Sequence, residues 1–81
     1  MEVSIEFYGI QRALTQTDGI DMPISEKTSV TDVLEYIRGK YPALPLDDKA
    51  ILIVVNQEMA SLDTVLRAND KVSFLPSIGG G

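Results

Sequence analysis

The groups that could do chemistry in this chain gather at its end. It closes on Phe74-Leu75-Pro76-Ser77-Ile78-Gly79-Gly80-Gly81, and the distinctive reactive group there is the carboxylate of Gly81. A carboxylate activated by ATP becomes an acyl adenylate, a mixed anhydride that a nucleophile can open. Sulfide or a persulfide would give a thiocarboxylate able to donate sulfur; an amine would give an amide link to another protein. Glycines suit such an end, because a thread without side chains enters a channel too narrow for any other residue.

Both fates need partner enzymes, because the rest of the catalytic inventory is empty. The chain contains no Cys and no His, so nucleophilic triads, the commonest general base and the usual soft metal ligands are missing. No G-x-G-x-x-G or G-x-x-x-x-G-K-[ST] loop is present, and no helix follows the three glycines to hold a phosphate. Asp47-Asp48 could touch a cation, but two adjacent loop carboxylates fall far short of a hard-cation site. These residues predict no bound metal, no tightly held cofactor and no autonomous enzyme.

Size and charge narrow the class further. With 81 residues, 44% of them hydrophobic, the chain is one domain near the lower limit for a self-sufficient core. Its start, "MEVSIEFYG", has no basic segment leading into an apolar one, and its longest apolar run, "AILIVV", is far shorter than the roughly 18 residues of a membrane span. A cytoplasmic, soluble protein is expected. The net charge of −5 disfavours nucleic acid and anionic membranes as partners. A basic groove on another protein is the more natural target.

The elements that must position the tail are legible from periodicity. In "EVSIEFYG", Val3, Ile5 and Phe7 alternate with Glu2, Ser4 and Glu6, the pattern of a half-buried strand. A second strand is expected through "GIDMPI" after a turn near Thr17-Asp18-Gly19, with "GIQRALTQT" as a long connection. "SVTDVLEYIRGKYP" is the convincing helix: Ser29 caps it with Asp32 three residues on, Val30, Val33, Leu34, Ile37 and Tyr41 form one apolar stripe, and Pro42 ends it. Asp32, Glu35 and Arg38 are expected on the wet face. "KAILIVVNQ" is continuously apolar, which predicts a strand covered on both faces with Val54 in the core. Asn56-Gln57 reads as a turn into a short edge strand "EMA", "SLDTVLRAND" as irregular, and "KVSFLP" as the closing strand, with Val72 and Phe74 on one face and Ser73 and Leu75 on the other. The order β-β-α-β-(β)-β predicts an α+β, ubiquitin-like β-grasp fold: a mixed sheet of four to five strands with one main helix, the first and last strands central. Residues 1–78 are expected to form this domain and residues 79–81 a flexible glycine tail.

The chain resembles the small subunits of molybdopterin synthase, within the β-grasp sulfur carriers. The resemblance spans essentially the whole sequence. It is strongest in "VVNQEMASLDTVLRANDKVSFLPSIGGG", where the family shows a strand, Val-Asn-Gln, an acidic turn and then Val-x-Phe-x-Pro-Pro-x-x-Gly-Gly. "EFYGIQRAL", with Arg12, resembles the family's aromatic pair followed by an arginine. Carried over, the resemblance implies that Gly81 is adenylated and converted to a thiocarboxylate, with Gly79 and Gly80 as the thread that delivers it. It implies two partners: an adenylating enzyme related to ubiquitin-activating enzymes, which uses ATP, and the large synthase subunit, which holds the pterin precursor that becomes the dithiolene. Departures are Pro76-Ser77 for the family's Pro-Pro and Asn69 for its turn glycine. Leu75 and Ile78, bracketing Pro76, are expected to dock partner enzymes. Other readings are a carrier for thiazole synthesis, a ubiquitin-like protein modifier, and a β-grasp binding module with an idle tail.

Overall fold

The first and last strands run side by side through the middle of the molecule, as the order of elements predicts. The computed structural model describes residues 1–46 and 51–76. In chain order these form β1 (Glu2–Glu6), α1 (Ile10–Thr15), β2 (Gly19–Pro23), α2 (Val30–Lys40), β3 (Ile51–Val55), β4 (Glu58–Met59) and β5 (Lys71–Pro76). The sheet order is β2-β1-β5-β3-β4. β1 and β5 pair in parallel, with Ile5 opposite Val72, while the other neighbours are antiparallel. This is the expected β-grasp arrangement.

Alternation in β1 buries Val3, Ile5 and Phe7 on the face that α2 covers. α2 contributes Val30, Val33, Leu34 and Ile37 to the same core, joined by Ile53, Leu66, Val72 and Phe74. Burying each such side chain is worth about 1.5–3 kcal/mol, so this one helix–sheet layer carries most of the fold's stability. At the helix start, the Asp32 carboxylate accepts the Ser29 backbone N–H at 2.9 Å, as the capping-box reading predicts. At its other end Tyr41 packs edge-on against Phe7, with ring centroids 5.6 Å apart. Among the described residues no helix is long and apolar enough to cross a membrane.

Three expectations need correction. The connection after β1 holds a helix, α1, which Gly9 enters at φ +54° and Gln16 leaves at φ +60°. Its buried residue is Gln11, so no apolar stripe announces it. Arg38 is only half solvated: its Nη2 donates to the Leu46 carbonyl at 2.6 Å and ties the loop after α2 to that helix. β3 is not covered on both faces, because α2 shields one side of the sheet only. Leu52 stays 38% exposed, and Val54 is half-buried outside the core.

The turns follow the sequence closely. Asn56 and Gln57 connect β3 to β4 with φ of +52° and +70°, the type I′ geometry of a two-residue hairpin. Asn69, standing where the resembling family has glycine, adopts φ +70°. In β2, Gly19 is required by contact: a Cβ there would lie 2.6 Å from the Ile5 carbonyl oxygen. Gln57 is the strained member of the hairpin, since a left-handed non-glycine residue costs about 1–2 kcal/mol. Gln57→Gly should therefore raise the midpoint of urea unfolding by the equivalent of about 0.5–1 kcal/mol, with the slope unchanged.

Candidate functional site

β5 reaches the tail with both flanks secured. On one side it pairs with β3 as far as Ile51 opposite Pro76. On the other, pairing with β1 stops at Glu6 opposite Ser73, and a side chain takes over from the strand. Gln11, only 6% exposed, donates from Nε2 to the Phe74 carbonyl and accepts the Tyr8 N–H on Oε1 at 3.1 Å. The amide acts as one more rung of the ladder and fixes where the chain leaves the sheet. Sequence reasoning missed Gln11 because a buried glutamine breaks the apolar pattern by which helices are found; the adjacent "IQRAL" was its only trace.

Of the expected site residues, Leu75 and Pro76 lie in β5. Leu75 is half-buried and points away from α2, opposite Leu52 of β3. Ile78, Gly79, Gly80 and Gly81 lie outside the described residues, as do Asp47 and Asp48. No group of three or more Asp or Glu side chains among the described residues could hold a metal ion.

The registers define what surrounds Leu75. Ser73 pairs with Val54 on one side and Glu6 on the other, and Val54 pairs in turn with Met59. The uncovered face thus divides in two. Its β3–β4–β5 half is apolar, with Leu52, Val54, Met59 (67% exposed) and Leu75; its β1–β2 half carries Glu2, Ser4, Glu6 and Asp21. Beside the end of β1, Tyr8 is 44% exposed. An open cavity of about 400 Å³ lies across the join, lined by Glu6, Tyr8, Val54, Lys71 and Ser73 among others. An apolar patch rimmed by charge marks a protein interaction surface. What the geometry of this open surface suits is binding.

Comparison with known proteins settles the kinship. The model of the ThiS family matches residues 5–81. The chain belongs to the ThiS family. A molybdopterin synthase sulfur carrier subunit from Mycobacterium tuberculosis (strain ATCC 25618 / H37Rv) is 29% identical over 82 residues, covering 100% of this chain and 99% of that protein. Among solved structures, SAMP1 from Haloferax volcanii shares the fold at a TM-score of 0.82 and 20% identity, covering 100% of both chains. The small archaeal modifier protein 1 (SAMP1) from Methanosarcina acetivorans is 28% identical at a TM-score of 0.79, over 99% of this chain and 96% of that one. This ThiS-family chain is thus a carrier of the ubiquitin-like type.

The amide clamp at the end of β5 has a measurable cost of removal. Gln11→Leu keeps the apolar bulk but leaves the Tyr8 N–H and the Phe74 carbonyl without their partner. An unsatisfied buried backbone group costs about 1–3 kcal/mol. Guanidinium titration should show a lower midpoint of that order with an unchanged slope.

Proposed function

We propose that this protein is the sulfur-carrying small subunit of molybdopterin synthase, working in the cytoplasm without catalytic residues of its own. The observation that carries this reading is the family match running through the glycine tail to Gly81. The relative that matches over the chain's full length is itself a molybdopterin synthase sulfur carrier subunit.

In this reading a carboxylate oxygen of Gly81 attacks the α-phosphorus of ATP on the adenylating enzyme, and pyrophosphate leaves. A sulfur nucleophile then adds to the acyl carbon and expels AMP, leaving a thiocarboxylate. Docked on the large synthase subunit, the tail presents that sulfur to the pterin precursor, and two such transfers supply the dithiolene. The chain's own contribution is mechanical. β5 and Gln11 fix the root of the tail, Leu75 and its apolar neighbours seat the partner, and Gly79 and Gly80 thread the narrow channel. No cofactor is held; ATP belongs to the partner.

A second reading, conjugation of Gly81 to lysines of other proteins, is favoured by the nearly equal identity to a small archaeal modifier protein. The two readings part at the fate of the adenylate. The decisive experiment is the intact mass of the protein after incubation with host extract, ATP and a sulfur donor. Replacement of one oxygen by sulfur, abolished by deleting Gly81, is the expected result. Amide-linked adducts without that shift would favour the modifier, and an unchanged mass beside an active control carrier would sink both.

Docking is tested separately. Because Leu75 lies outside the core, Leu75→Glu should leave the far-UV circular dichroism spectrum unchanged. It should weaken binding to the adenylating enzyme by about tenfold or more, the usual effect of a charge placed in a desolvated interface.

A further inference from the structure

The join between the two halves of the open face holds a group that the carrier chemistry leaves unused. Glu6 is half-buried in β1, and among the described residues it makes no ion pair within 4.0 Å. Its polar contact is a long one, from the Tyr8 hydroxyl to Oε2 at 3.5 Å. It lines the open cavity with Val54 beside Ser73 and the Tyr8 ring at the rim. In the isolated domain this carboxylate faces solvent in the open cavity, and a guanidinium seated there would replace that solvent with charge-assisted hydrogen bonds.

We propose that this cavity receives an arginine side chain from the adenylating enzyme, with its guanidinium on Glu6. The inference rests on the carrier reading above and names the chemistry of the partner at that face. Three observations fit a guanidinium. The carboxylate offers two oxygens to its planar fork. The exposed Tyr8 ring offers an aromatic face on which it stacks. Val54 offers apolar floor for the methylene stem.

The strand register also sets the direction of entry. Lys71 lies two residues before Ser73 on β5, opposite Ser4, while Tyr8 lies two residues beyond Glu6 on β1. The local cation therefore stands at the far end of the cavity from Tyr8, and the arginine enters from the Tyr8 side. The chain's net charge of −5 supplies a general negative field for a cation, while Glu2 and Asp21 stand on the same face towards the Lys71 end.

The test uses the full-length chain and the adenylating enzyme of the same organism, titrated calorimetrically at low and moderate salt. Glu6→Gln keeps size and hydrogen-bonding capacity while removing charge. It should weaken binding about tenfold at low salt and flatten the salt dependence. Lys71→Gln, removing a like charge from the same cavity, should bind as tightly as wild type or more tightly, and weaker binding would overturn an arginine seat there. If Glu6→Gln binds like wild type while Leu75→Glu does not, the arginine seat is overturned and the carrier reading stands. Wild type that fails to bind at all overturns both. A dimer in solution that Glu6→Gln dissociates would overturn the assignment by making a second copy of this chain the occupant.

Discussion

The parallel pairing of β1 with β5 is the constraint on which the rest of this structure depends. Two parallel neighbours cannot be joined by a tight turn; the chain between them must cross over one face of the sheet. Between them the chain returns along β1 through β2, crosses the sheet with α2 and comes back beside β5 through β3, and α2 has the apolar surface to form a layer. Covering one face with one helix leaves the other face without a layer. The same pairing puts the last strand in the centre, held by β1 as far as Ser73 and by β3 as far as Pro76.

The cost of that arrangement falls on β3. Its five residues, Ile51-Leu52-Ile53-Val54-Val55, are all apolar, yet a strand in a two-layer domain can bury only every second one. Ile53 enters the core, while Leu52 and Val54 face outwards with Leu75 and Met59. In a chain of 81 residues, where apolar area is scarce, placing such residues on an uncovered face costs solubility and gains nothing for the isolated fold. It is explained if the second layer arrives from another protein. The acidic β1–β2 half then orients that protein, since charge beside an apolar patch favours one docking register and disfavours like-charged surfaces.

How much of this was legible in the sequence depended on whether the signal was local. The alternation of Val3, Ile5 and Phe7, the capped stripe of α2 and the turn chemistry of Asn56 and Asn69 are set by neighbours in sequence, and each was readable. Misreadings arose where the partner is distant. Val54 looks like core because a continuous apolar run carries no mark of which face a helix will cover. α1 was read as a loop because Gln11 is buried for its hydrogen bonds to Tyr8 and Phe74, the latter 63 positions away. Glu6 looked like the wet half of an alternating strand, and only the sheet register places it between an apolar patch and an aromatic ring. The chemistry proposed for the tail starts from elimination, because a chain without Cys or His directs attention to the carboxylate of Gly81.

A chain that delivers its own terminus must solve a problem of reach. Five residues follow Pro76, and fully extended they span at most about 18 Å. In the carrier reading, whatever acts on Gly81 would lie within that distance of the end of β5, and the protein that holds it would come close to the surface around Leu75. This couples the docking face to the chemistry more tightly than a long linker would. A longer tail would let the carboxylate find an active site from many poses, and the face would add affinity without adding precision. With a short one, the Gln11 amide at the end of β5 and an apolar patch that seats the partner would act as two ends of one ruler. In that reading Gly79 and Gly80 would have little to do except be narrow, with the domain behind them supplying the aim.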